Sequence, residues 1–160
     1  MKKASTILFE ELELSPGFLL WKVTSQWRWL VETELAKIGI TYQQFILLAN
    51  LIRTTKNNAG ITQIKLAQHC GTDITMTSQV LRSLERKGYV KRHQSKDDAR
   101  SKFSRVTKSG TALIEQAIPL VEAIDKQFFN ALETDIKKYI EMQQKLLCKN
   151  YKKSNKDFNE

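Results

Sequence analysis

The chain has 160 residues and a formal charge of +9, from 26 Lys and Arg against 17 Asp and Glu. Its 41% apolar and 27% charged composition is that of a globular domain and excludes collagen-like and disordered classes. No apolar run approaches the roughly 20 residues that span a bilayer. Glu10, Glu11 and Glu13 interrupt the stretch that would follow Lys2 and Lys3 in an export signal. Two cysteines, Cys70 and Cys148, are too few for a disulfide framework and fit a reducing cytoplasm.

The positive charge is uneven. Residues 1–61 carry a net +2, residues 62–109 a net +7, and residues 110–160 none. A basic middle between near-neutral flanks is a patch, and a phosphate backbone is one natural partner for it.

In chain order, Ser15-Pro16 opens a long amphipathic helix, with Pro at the first position, where its missing N–H costs nothing. Leu20, Val23, Trp27, Leu30, Val31, Leu35 and Ile38 form its stripe, and Gly39 ends it. Thr41 caps a second helix with Phe45, Leu48, Ala49 and Ile52 on one face. A polar turn follows from Thr54 to Gly60. Thr62 caps a short helix to Cys70, with Ile64 and Ala67 expected inward. Gly71-Thr72-Asp73 is a tight turn into a helix from Ile74 to Lys87, stopped by Gly88.

The period then changes from helix to strand. Tyr89–Gln94 and Lys102–Val106 read as two strands around a charged loop, Ser95–Ser101. Thr107 caps a long helix through Leu113, Ala117, Leu120, Val121, Ile124 and Phe128, which Pro119 is expected to kink. Glu133-Thr134-Asp135 separates it from a last helix with Ile136, Tyr139, Ile140, Leu146 and Leu147. The tail from Asn150 is polar and expected to fray.

Two short helices, a tight turn and a hairpin give the order of a winged helix-turn-helix. The fold class expected is mainly α with a small β-hairpin wing, flanked by N- and C-terminal helices. At about 100° per residue, Thr77, Val80, Leu81 and Leu84 share one side of the 74–87 helix. Thr75, Ser78, Gln79, Arg82 and Arg86 share the other, which is nearly free of acid. A solvated face would mix Glu with Lys. Hydroxyls, Gln and Arg instead suit the major groove of double-stranded DNA, where Gln pairs with adenine and Arg with guanine. Met76, at the edge of this face, has two readings: a contact to a thymine methyl, or core. In the loop, Arg100 has two readings: entry into a narrow minor groove, or a soluble turn with its charges facing water. Asp98, two residues earlier, can hold an arginine, and Lys102 follows.

These residues resemble the MarR family of transcriptional regulators. The matching pieces are LAQHCG at 66–71, the join Leu84-Glu85-Arg86-Lys87-Gly88-Tyr89-Val90, Asp98-Ala99-Arg100, and Thr107-Lys108-Ser109-Gly110. Upstream, SPGFLL and LAKIGITYQQFILLANL resemble the first two helices, so the likeness covers about residues 14–148. The resemblance implies one domain over 1–160: dimerisation helices at 15–40 and 108–149, a winged helix-turn-helix at 41–107, and a polar tail at 150–160. It implies a homodimer on a pseudo-palindromic operator, more often a repressor than an activator, in the cytoplasm at the nucleoid. Carried over by position, Thr75, Ser78, Gln79 and Arg82 read bases, and Arg100 is the wing arginine with Asp98 positioning arginine. Gln79 stands where many members have Arg, which shifts the expected operator toward A·T.

The apolar stripes of the outer helices exceed what a small winged module covers, and burial against a second copy resolves that. Relatives bind a small phenolic or lipophilic effector between the dimer helices and the winged domain, or oxidise a cysteine. Trp21 and Trp27 are candidates for such a pocket, against packing in the core or the dimer. Cys70 and Cys148 are candidates for redox sensing, against plain burial. His69 and His93 have no zinc-binding partners, and no nucleotide or nucleophile motif is present, so neither enzyme, cofactor nor metal is expected. A winged module used only for protein contact is the other function class. It would carry a neutral or acidic recognition face.

Overall fold

The computed structural model describes residues 14–54, 60–94 and 102–157. Among the described residues, seven elements precede the C-terminal region: α1 (Pro16–Lys37), α2 (Tyr42–Thr54), β1 (Ile61–Thr62), α3 (Gln63–Cys70), α4 (Ile74–Arg86), β2 (Val90–Gln94) and β3 (Lys102–Val106). The long α5 (Lys108–Phe129), a 3₁₀ segment (Asn130–Asp135) and α6 (Ile136–Asp157) follow. The chain divides into two compact units, one ending at Ile124 and the other beginning at Asp125.

The first unit holds the core. Val31 and Leu35 of α1, Leu47, Leu48 and Leu51 of α2, Leu66 of α3, Leu81 and Leu84 of α4, Val90 of β2 and Ala117 of α5 are all buried in one cluster or against it. Local chemistry sets the boundaries. At α2, the Thr41 hydroxyl accepts from Gln44 N–H at 3.2 Å and the Gln44 side chain accepts from Thr41 N–H at 3.3 Å. This is a capping box, satisfying two otherwise orphaned amides. Gly71 closes α3 in the left-handed region at φ 61°, where a Cβ is disfavoured. At the start of α5, Thr107 accepts from Gly110 N–H and donates to the Gly88 carbonyl.

The expected hairpin is present, with Val90 opposite Val106 and Gln94 opposite Lys102. A third strand was not expected. Ile61 and Thr62 pair antiparallel with Ser104 and Phe103, giving the order β1-β3-β2. Two residues are too few to show a period, so only pairing reveals them. In α3, Ala67 is buried as expected, but Ile64 is 54% exposed and Leu66 is buried in its place. At about 100° per residue, Leu66, Ala67 and Cys70 lie together, and Ile64 is about 200° from Leu66.

The second unit contains the end of α5, the 3₁₀ segment and α6. The break expected at Glu133 is present as a non-helical residue, φ 43° and ψ −113°. Phe129 packs against Phe128 and Tyr139, with ring centroids 5.1 and 5.6 Å away. The helix α6 runs on to Asp157, past the Asn150 at which fraying was expected. Lys152, Lys153 and Lys156 are tolerant helix formers and carry the pattern on. Among the described residues, no single helix is long and apolar enough to cross a membrane.

Candidate DNA interface

The helix α4 is built from its N-cap. One carboxylate oxygen of Asp73 accepts from the amides of Thr75 at 2.7 Å and Met76 at 2.9 Å. These bonds, that from Met76 foremost, hold the Asp73 carboxyl below its ordinary value. One turn on, the buried Thr77 hydroxyl donates to the Asp73 carbonyl at 2.8 Å and accepts from the Thr72 hydroxyl at 2.9 Å. The turn and the first coil of the helix are thereby fixed to one another.

With that end fixed, the two faces separate as the spacing requires. Thr77, Leu81 and Leu84 are buried and Val80 is half-buried. Thr75, Gln79, Arg82 and Arg86 are exposed, and Ser78 is half-buried. Arg82 donates to the Ser78 hydroxyl at 3.1 Å. Ile74 was not singled out from the sequence, yet it is 47% exposed in the first turn. An exposed Ile there adds an apolar contact to a face otherwise made of donors and acceptors.

The other end of α4 is tied to the α1–α2 corner by a network the sequence did not signal. Gln44 is 6% exposed, and its side-chain amide donates to the Ser83 hydroxyl at 3.0 Å. Lys87 donates to the Gln44 side-chain carbonyl at 3.2 Å and to the Gly39 carbonyl at 2.8 Å. Lys87 therefore belongs to internal structure, not only to the basic patch.

Met76 is half-buried and lines a cavity of about 370 Å³, together with Arg28, Tyr42, Ile46, Cys70 and Thr72. The cavity lies between α1, α2, α3 and the start of α4. Arg28 sits over the Tyr42 ring at 5.9 Å and donates to Glu32 at 2.9 Å. Trp27 meets the Tyr42 ring edge-on at 5.2 Å and so stands behind this wall. Trp21 is 63% exposed on α1 and stacks on Phe18. Cys70 is half-buried, and its burial pushes the thiol above its ordinary value. Cys148 is exposed on α6. Lys102 begins β3 opposite Gln94. Asp98 and Arg100 lie outside the described residues.

The family model of the MarR family matches residues 40–102. The uncharacterized HTH-type transcriptional regulator YdcH of Bacillus subtilis is 39% identical over 117 residues, 73% of this chain and 80% of that protein. The HTH-type transcriptional repressor Rv2887 of Mycobacterium tuberculosis is 32% identical over 109 residues, 68% of this chain and 76% of that one. Among solved structures, a mutant MarR from E. coli complexed with operator DNA superposes with a TM-score of 0.73 at 26% identity, covering 86% of this chain and 96% of that one. These relatives are regulators, not enzymes. The chain belongs to the MarR family of DNA-binding transcriptional regulators.

Proposed function

We propose that this chain is a homodimeric repressor of a pseudo-palindromic, A·T-rich operator, released by a small aromatic or lipophilic effector, and that it works in the cytoplasm at the nucleoid. The observation that carries the reading is the solvent face of α4. Thr75, Gln79 and Arg82 are exposed there, and no acid stands between Asp73 and Glu85. Gln79 favours adenine by bidentate pairing, Arg82 favours guanine, and Thr75 and Ser78 serve either. Arg100, with Asp98 and Lys102, would supply the wing contact.

Dimerisation is supported by what the outer helices leave uncovered. Leu19, Leu20, Trp21 and Trp29 of α1 are all more than 40% exposed, as are Ile140, Met142, Leu146 and Leu147 of α6. Release is supported by the cavity at the start of α4. The Arg28 guanidinium and the Tyr42 ring suit an aromatic carboxylate, and a structure of Rv2887 is a complex with salicylic acid. The far end of α4 is tethered through Gln44 and Lys87. An occupant touching Thr72 and Met76 would therefore move the reading end about a held end, shifting the population between two arrangements.

The test is selection of bound DNA from a random pool, with sedimentation of the free protein, repeated in salicylate. A two-fold A·T-rich site, a dimer and weaker binding with salicylate are expected. A G·C-dominated half-site, a monomer at micromolar concentration, or affinity indifferent to aromatic acids would each remove the corresponding part.

A further inference from the structure

Arg92 is the most buried cation among the residues whose ion pairs are described. It is the third residue of β2, opposite Ser104 of β3, which in turn lies opposite Ile61 of β1. Directly opposed residues share a face of a sheet, so the three form one row. Ser104 is 1% exposed and Ile61 7%, and only 10% of the Arg92 side chain remains exposed.

The guanidinium faces the last turn of α4 directly and its first turn only through Gln63 of α3. One terminal nitrogen donates to the Gln63 side-chain carbonyl at 3.1 Å. The Gln63 amide donates onward to the Ile74 carbonyl at 3.4 Å, in the first turn of α4. The other terminal nitrogen lies 4.0 Å from a carboxylate oxygen of Glu85, in the last turn. The remaining nitrogen, Nε, and the Ser104 hydroxyl are buried, and among the described residues neither has a hydrogen-bond partner.

Burying a cation this incompletely paired is costly. An apolar side chain of similar volume would fill the same space at less cost. Packing alone therefore does not account for the arrangement. A planar fork that faces one helix end directly and the other through Gln63 does something an apolar side chain cannot, because it fixes direction.

We propose that Arg92 is a positioning residue that locks the wing strands to the recognition helix α4, so that helix and wing meet DNA as one rigid body. Arg92 does not itself touch phosphate. The inference rests on the DNA-binding reading but goes beyond it, since nothing in that reading assigns Arg92 a role.

The full-length protein carrying spin labels at Gln68 of α3 and His93 of β2, both exposed, reports the wing angle as a distance distribution. It is diluted with unlabelled protein so that only pairs within one chain are read. In Arg92→Met the distribution is expected to broaden. Affinity for the selected operator should fall about tenfold or more, with a smaller fall on unrelated DNA. The salt slope of operator binding should stay where it was, because a phosphate contact would contribute about −0.9 to it.

Gln63→Ala combined with Glu85→Gln leaves Arg92 in place and removes both of its partners. It should broaden the distribution in the same way. Arg92→Lys keeps the charge without the fork and should do so in part, and these two variants decide the matter if Arg92→Met does not fold. A folded variant with an unchanged distribution, or one that lowers the salt slope by about one contact, overturns the proposal. If the unsubstituted protein binds no DNA, the DNA reading fails, while the distance measurement still judges the lock.

Discussion

In the proposed reading, the Gln79 side chain is where one residue decides which base the molecule prefers. It is exposed on α4, two turns before Arg86 and beside Arg82 and Ser78. Its amide presents a donor and an acceptor together, which match adenine in the major groove. An arginine there would present two donors, which match guanine. Gln79→Arg is therefore expected to move one position in each half-site from A·T to G·C, with discrimination of about 1–3 kcal/mol. Repeating the DNA selection on the variant checks it. Asp73 acts on the same helix through its backbone. Its folded carboxyl titrates below the ordinary range because it accepts amides, that of Met76 first. A depressed folded value stabilises the protein at pH above the unfolded value, about 3.9, and the contribution disappears as pH falls through the lower folded value. Asp73→Asn keeps a capping oxygen without the charge. Its stability should fall less steeply with acid in that window than that of the parent, as thermal unfolding across pH would show.

Elements meet at places that single residues do not advertise. Gly110 lies in the first turn of α5, where an added Cβ would collide with the Tyr89 carbonyl and approach the Val106 side chain. Replacing a helical Gly by Ala ordinarily gains up to about 1 kcal/mol. Here the contact is with backbone, which cannot swing aside as a side chain does. Gly110→Ala is expected to lose about 1–3 kcal/mol, the range of overpacking, seen as a lower Tm. The same scale explains what the sequence disclosed. Helix faces were legible because Leu81 and Leu84 repeat at three-residue spacing and the polar residues fall opposite. The caps at Thr41, Thr62 and Thr107 were legible because each has a local cause, whereas Asp73 showed only as part of a turn. The β1 pairing, the Gln44 network and the Arg92 row were not, because each depends on contacts between segments 29 to 48 residues apart and carries no period. Ile64 misled for a related reason. One Ile in an eight-residue helix fits two faces, and tertiary packing chose Leu66 and Ala67. For the site, residue types on α4 pointed to DNA, but the cavity beside Met76 needed four elements brought together.

At the scale of the whole molecule, the proposed dimer makes affinity depend on whether two reading heads act together. In the proposed dimer, the second head binds at the effective concentration set by the first, which lies in the millimolar range for short connections and multiplies affinity by about 10²–10⁴. The phosphate contacts of both heads also add in the salt dependence, at a log–log slope of about −0.9 for each. Leu20 offers a way to separate the heads without harming either. It is 54% exposed on α1, so a charge placed there meets water in an isolated chain, whereas at a dimer contact it would be buried without a partner. Leu20→Glu is thus expected to leave the thermal transition of the winged module in place and to sediment as a monomer. Operator affinity should fall by about 10²–10⁴, and the salt slope should drop to about half that of the parent. Sedimentation and binding titrations from low to high salt measure both quantities. Halving of the slope is the decisive part. Lost affinity alone would also follow from a damaged reading head, but a head that is intact and merely alone keeps its own phosphate contacts and loses only its partner's.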